Sequence, residues 1–274
     1  MEKNKKEYYS LKEVTKMCEE FYTSPFINTR DYYCPSITMP RLDELNTSYK
    51  ELVKNFYNCY FDQNFSIIHK IPNEAPRIID VFDLPVIDTD KDDSFIRVKP
   101  IDIDDNSYVL AFEKIVLKNN NDIFTAIKYA HEIAHALTER NVHAIGKFDH
   151  ELIPIVMELL FAYDIDTELS NYSLGEDGLY HNKFNPTATY DGEEFNYDTV
   201  KEILKLRINC LYALEELYQN ETDEKILNEY STYIKSTIDA LDLFNNYVEG
   251  DISLIANVDD LLRGKKRIKK TKNA

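Results

Sequence analysis

His131-Glu132-Ile133-Ala134-His135 sets two imidazoles four residues apart with a carboxylate between them. On a helix, residues i and i+4 lie one above the other on one face, so both rings can converge on a single Zn²⁺. Glu132 is turned about 100° around such a helix from His131, in reach of a water on the metal without being a ligand. Such a set polarises a peptide carbonyl and makes a hydroxide-like nucleophile near neutral pH. The competing reading is a solvated helix face that happens to carry two histidines, and the surrounding pattern speaks against it. Ile123, Ile127, Ala130, Ala134 and Leu137 recur at helical spacing, which predicts an amphipathic helix over 122–139. Ala130, Ala134 and Ala136 are small neighbours that leave room for a metal.

A catalytic zinc needs a third protein ligand and one open position. The downstream candidates are His143, Asp149, His150, Glu151 and Glu158. A helix predicted over 151–169 carries Leu152, Ile155, Val156, Leu159, Leu160 and Tyr163 at core spacing, with Pro154 favouring a start within a turn of that point. Glu151 and Glu158 share one side of it, beside the apolar stripe. Carboxylates there are costly to bury unless paired or metal-bound. The alternative is that both sit at the stripe's edge and reach solvent.

Other elements must carry these residues. Helices are predicted over 11–21, 41–62, 198–218, 223–248 and 258–263. Arg77-Ile78-Ile79-Asp80-Val81-Phe82, Phe95-Ile96-Arg97-Val98 and Tyr108-Val109-Leu110-Ala111-Phe112 are β-branched or aromatic runs between Asp, Asn and Pro clusters, which predicts a small sheet over 77–117. The Tyr108–Phe112 run reads either as an edge strand able to pair with an extended peptide or as a plain sheet member. Residues 171–197, with Gly175, Gly178, Pro186 and Gly192 among Asn and Tyr, read as a long irregular loop or flap. The expected class is therefore mainly α with a small β-sheet. It is divided into an N-terminal helical segment 1–75, a catalytic domain 76–264 and a basic, disordered tail 265–274.

Composition narrows the partners. The 274 residues are globular in character, with 43% hydrophobic residues. A net charge of −17 repels phosphates and anionic lipids, so neither nucleic acid nor a membrane is an expected partner. Cys18, Cys34, Cys59 and Cys210 are scattered, without C-x-x-C, too few for a disulfide framework. No apolar leader or membrane-length run is present, and a reducing cytoplasm is the expected compartment.

The run Asp122-Ile123-Phe124-Thr125 through Ala130-His131-Glu132-Ile133-Ala134-His135-Ala136-Leu137 resembles the catalytic helix of the thimet oligopeptidase and oligoendopeptidase F family. Those enzymes are zinc peptidases of the gluzincin group, whose third ligand is a glutamate on the following helix. The family's second helix reads roughly E-x-P-S-x-x-x-E. Glu151-Leu152-Ile153-Pro154-Ile155-Val156-Met157-Glu158 repeats the spacing of its glutamates, with the proline shifted by one and the serine absent. The resemblance implies a zincin-like fold, one Zn²⁺ on His131, His135 and Glu151, and Glu158 behind a histidine. The shorter loop after His135 keeps Glu158 open as the alternative ligand. Tyr230-Ser231-Thr232-Tyr233, followed by Leu241-Asp242-Leu243-Phe244, is similar to the family's Y-x-x-Y helix. It implies Tyr233 as oxyanion donor and Tyr230 as a substrate contact, against the plain reading of a core stripe.

The likeness spans roughly residues 104–264. Ala134 stands for the usual Gly, and the family's upstream His and Tyr are missing near Glu221 and Ile226. What remains is mainly the zinc-bearing half of a longer family. The expected function is a zinc metallopeptidase that hydrolyses oligopeptides with a metal-activated water, Glu132 serving as base. Two rivals are a regulatory gluzincin cleaving one specific protein and a zincin-fold binding protein without activity.

Overall fold

The computed structural model describes residues 41–43, 47–61, 63–91, 94–104, 107–140, 151–169, 171–182, 189–190, 199–200, 202–204, 206–207 and 221–263. Roughly half of these are helical, alongside a small mixed sheet. The helices are α1 (Tyr49–Tyr60), α2 (Ile123–Glu139), α3 (Leu152–Leu169), α4 (Glu224–Val248) and α5 (Ser253–Leu262). The strands are β1 (Ser66–His69), β2 (Arg77–Asp80), β3 (Val86–Asp88), β4 (Phe95–Asp104), β5 (Ser107–Leu117), β6 (Tyr172–Leu174), β7 (Tyr180–Asn182) and β8 (Thr189–Tyr190). No helix among the described residues is long and apolar enough to cross a membrane. The helix expected over 11–21 and the tail 265–274 lie outside these residues.

Two compact units divide the chain: residues 40–148 with 250–274, and residues 1–39 with 149–249. In the first, β1, β2, β3, β4 and β5 form a five-stranded sheet. Strand β5 is its hub. It pairs antiparallel with β4 from Phe95↔Val116 to Asp104↔Ser107, and parallel with β1 at His69↔Phe112 and with β3 at Val86↔Ile115. Strand β2 adds antiparallel to β1. Tyr108–Phe112 therefore belongs to the strand that pairs with β1, β3 and β4, and among the described residues the long edge strand is β4 instead. A ten-residue run with Pro100 inside it suits an edge, where a missing N–H breaks no central ladder.

Helix α1 starts later than the expected 41–62. Ser48 accepts from the backbone N–H of Glu51 at 3.2 Å and begins the helix there. The pair has the Ser-x-x-Glu spacing of a capping box. Val53, Phe56 and Tyr57 form its buried face. Arg140, just past α2, closes the unit from the other side. Its guanidinium donates to the carbonyls of Asn64, Ser66 and Leu262 at 2.7, 2.9 and 3.0 Å, and to Gln63 Oε1 at 2.9 Å. One rigid fork thus ties the end of α2 to the start of β1 and the end of α5.

In the second unit, α3 packs on α4, with Tyr163 edge-on to Phe244 and Tyr247. Asp166 on α3 accepts from the backbone N–H groups of Thr199 and Val200, both at 2.9 Å, capping the helical residues that start there. Residues 198, 201, 205 and 208–218 of the helix expected over 198–218 lie outside the described residues. The stretch expected as an irregular flap contains an antiparallel meander, β6-β7-β8, registered at Ser173↔His181 and Tyr180↔Tyr190. Gly178 turns it at a φ of 81°, a value that a side chain rarely adopts.

Candidate metal centre

Asp122 sets the start of α2. Its Oδ1 accepts from both the backbone N–H and the hydroxyl of Thr125 at 2.8 Å. The helix was expected to be amphipathic, but 14 of its 17 residues are buried. It packs on α1, α5, β4, β5 and the 3-10 turn at Val81–Asp83, so little of its surface meets water. Tyr57 of α1 donates to the carbonyl of Ala130 at 3.0 Å, pinning the backbone one residue before His131. A helix enclosed this way holds its side chains in few rotamers.

On that helix His131 and His135 turn towards each other. Their Nε2 atoms are 3.1 Å apart and their ring planes cross at 71°. Two lone pairs this close require a proton or a cation between them. The spacing also approaches the about 3.3 Å that separates two donors held about 2.05 Å from one tetrahedral ion. Glu139, four residues on, brings Oε1 to 3.2 Å from His135 Nδ1. A carboxylate there favours the proton on Nδ1, which leaves Nε2 as the donor nitrogen. Glu132 is only 2% exposed, and its Oε1 accepts the Ser94 hydroxyl at 2.8 Å.

Glu151 stands immediately before α3. Its carbonyl accepts from the N–H of Ile155 at 3.0 Å, and Pro154 falls in the first turn, where its missing N–H costs nothing. Among the described residues, His131, His135 and Glu151 form a group that could hold a metal ion: each offers one ligand atom, and these atoms lie within 4.8 Å of one another. Two imidazole nitrogens and a carboxylate oxygen fit a borderline divalent cation.

Glu158 lies two turns further along α3 and is 5% exposed. Arg207 grips it with two nitrogens, Nε reaching Oε2 at 2.8 Å and Nη2 reaching Oε1. Nη1 of the same guanidinium donates to the Tyr233 hydroxyl on α4, and the cation lies 6.0 Å from the centre of that ring. The chain Glu158–Arg207–Tyr233 thus ties α3 to α4. Tyr230 is on the same helix, and its side chain lies outside the described residues.

Three residues of these networks escaped the sequence reading. Glu139 could have been found, since it stands at i+4 from His135, where helical side chains meet. Ser94 is 38 residues from Glu132 and Arg207 is 49 from Glu158; no local pattern announces either contact.

No family model, curated protein or solved structure matches the chain.

Proposed function

We propose that this chain is a zinc-dependent metallopeptidase acting on oligopeptides. The observation that carries the reading is the gathering of His131, His135 and Glu151 around the turn of helix that also presents Glu132. Two histidines and a glutamate, with a fourth position left open, are the donor set of a catalytic zinc. Bound there, the ion supplies a Lewis acid that polarises a carbonyl and makes water acidic enough to attack near neutral pH. The remaining work falls to the chain's own side chains. Glu132 takes the proton of the attacking water and returns one to the leaving amine. Its burial keeps bulk water from competing for that proton. Glu139 holds the ring of His135 in orientation.

Tyr233 is the oxyanion donor that the resemblance to the oligopeptidases implies. Its oxygen accepts from Arg207, so the phenolic hydrogen is the part that donates elsewhere. Losing such a donor typically raises a barrier by about 2.7–4 kcal/mol. A zincin-like arrangement suits this reading: the motif helix packs against a mixed sheet whose long strand β4 is an edge among the described residues, and an extended peptide can pair with an edge. Cys59 is an exposed free thiol, which favours a reducing cytoplasm as the compartment.

The test is metal analysis together with cleavage of a quenched-peptide library by the wild-type chain and Glu132→Gln. We expect about one zinc per chain in both and cleavage by the wild type alone, since the substitution removes the base but no ligand. Zinc in both with cleavage by neither would sink the peptidase reading and leave a metal-binding protein.

A further inference from the structure

We infer that Ser94 positions Glu132, holding the carboxylate from the mouth of the edge strand β4; the inference rests on the peptidase reading above. The Ser94 hydroxyl donates to Glu132 Oε1 at 2.8 Å. With Glu132 2% exposed, bulk water does not supply the hydrogen bonds that a buried carboxylate needs. A hydroxyl has one hydrogen to give, and giving it to one oxygen fixes how the carboxylate is turned about its own bond.

Ser94 is itself held. The next residue, Phe95, opens β4 and is registered opposite Val116, with Ile96 opposite Ile115. Helix α2, which carries Glu132, packs on both β4 and β5. Donor and acceptor therefore stand on elements tied to the same strand, and the loop end cannot follow the carboxylate if the bond is removed. Among the described residues β4 pairs with β5 alone, so the fixed end of an edge strand is also the anchor of the base. A general base works only when its oxygen is within hydrogen-bond reach of the proton it takes, and small misplacements are costly. Ser94 needs no contact with substrate to matter: it acts through Glu132.

The experiment uses the full chain with Ser94→Ala, Ser94→Thr and Ser94→Val. Quenched-peptide hydrolysis, zinc content and thermal melting are measured on each. Ser94→Ala should lower kcat about 10- to 100-fold while KM stays within about twofold. Ser94→Thr keeps the hydroxyl and should recover most of the rate. Ser94→Val has the same shape as threonine without the hydroxyl and should not, and zinc content should match the wild type in all three. Melting of Ser94→Ala, Glu132→Ala and the double variant should be non-additive, the double losing clearly less than the sum. Equal rates for the threonine and valine variants, or additive melting shifts, overturn the inference. If the wild-type chain cleaves no peptide, the peptidase reading falls on its own, and the melting cycle alone judges the contact: non-additive shifts uphold Ser94 as the anchor of Glu132, and additive shifts overturn it.

Discussion

Glu151 and Glu158 show two ways in which a carboxylate beside an apolar helix stripe becomes tolerable. Glu158 is closed off by a guanidinium, with both side chains 7% exposed. Glu151 stands at the helix start and belongs, with His131 and His135, to the group that could hold a metal ion. Their substitutions should therefore fail differently. Glu151→Ala should lose stoichiometric zinc. Glu158→Ala should keep the metal but lose about 3–5 kcal/mol of stability, because Arg207 would be left buried without that anion. Metal analysis beside denaturant unfolding separates the two, and a folded Glu158→Ala chain without zinc would reverse the assignment. Glu139→Gln belongs to a third kind. It keeps the shape but weakens the hold on His135, and zinc affinity by competition with a chelator should fall about 10- to 100-fold. His131, Glu132 and His135 were legible because one helical turn is enough to bring them together. Ser94 and Arg207 were not, because only the folded sheet and helix pair bring them near.

Elements were legible where a cap and a periodic stripe agreed. Asp122 opens the apolar repeat of α2, and the helix runs Ile123–Glu139 against an expected 122–139. Helix α4 runs Glu224–Val248 after Asp223, against 223–248. Helix α1 runs Tyr49–Tyr60 against an expected 41–62, because Ser48, whose side chain caps the helix, stands seven residues past the start that the apolar residues suggested. That cap is testable: Ser48→Ala should cost about 1 kcal/mol in urea unfolding, by leaving an end N–H without its acceptor. A loss near zero would mean the helix is set by packing of Val53, Phe56 and Tyr57 alone. Strand β1 went unseen because Ser66-Ile67-Ile68-His69 is too short to show a period. The β6-β7-β8 meander was hidden by Asn, Gly and Tyr, which read as loop chemistry until the strands pair.

For the molecule as a whole, the proposed metal should be part of what keeps the chain folded. A ligand that binds the native state alone stabilises it, by about 4.1 kcal/mol at a thousand times its dissociation constant. Removing zinc with a chelator should then lower the melting temperature by on the order of 10 °C for a chain of this size. Adding zinc back should restore it. An unchanged melting curve under chelation would remove the ion from the account. A net charge of −17 adds self-repulsion to the compact state, so the effect should be read at fixed ionic strength.

The enclosure of α2 has one more consequence. With 14 of 17 positions walled in by neighbours, that rod has almost no outer skin on which a new charge or a bulkier group could be placed without breaking its surroundings. Retuning of the proposed chemistry at Glu132 and His135, by engineering or by descent, is therefore left to the flanking partners: a serine ahead of a strand and an acid at the rod's far end.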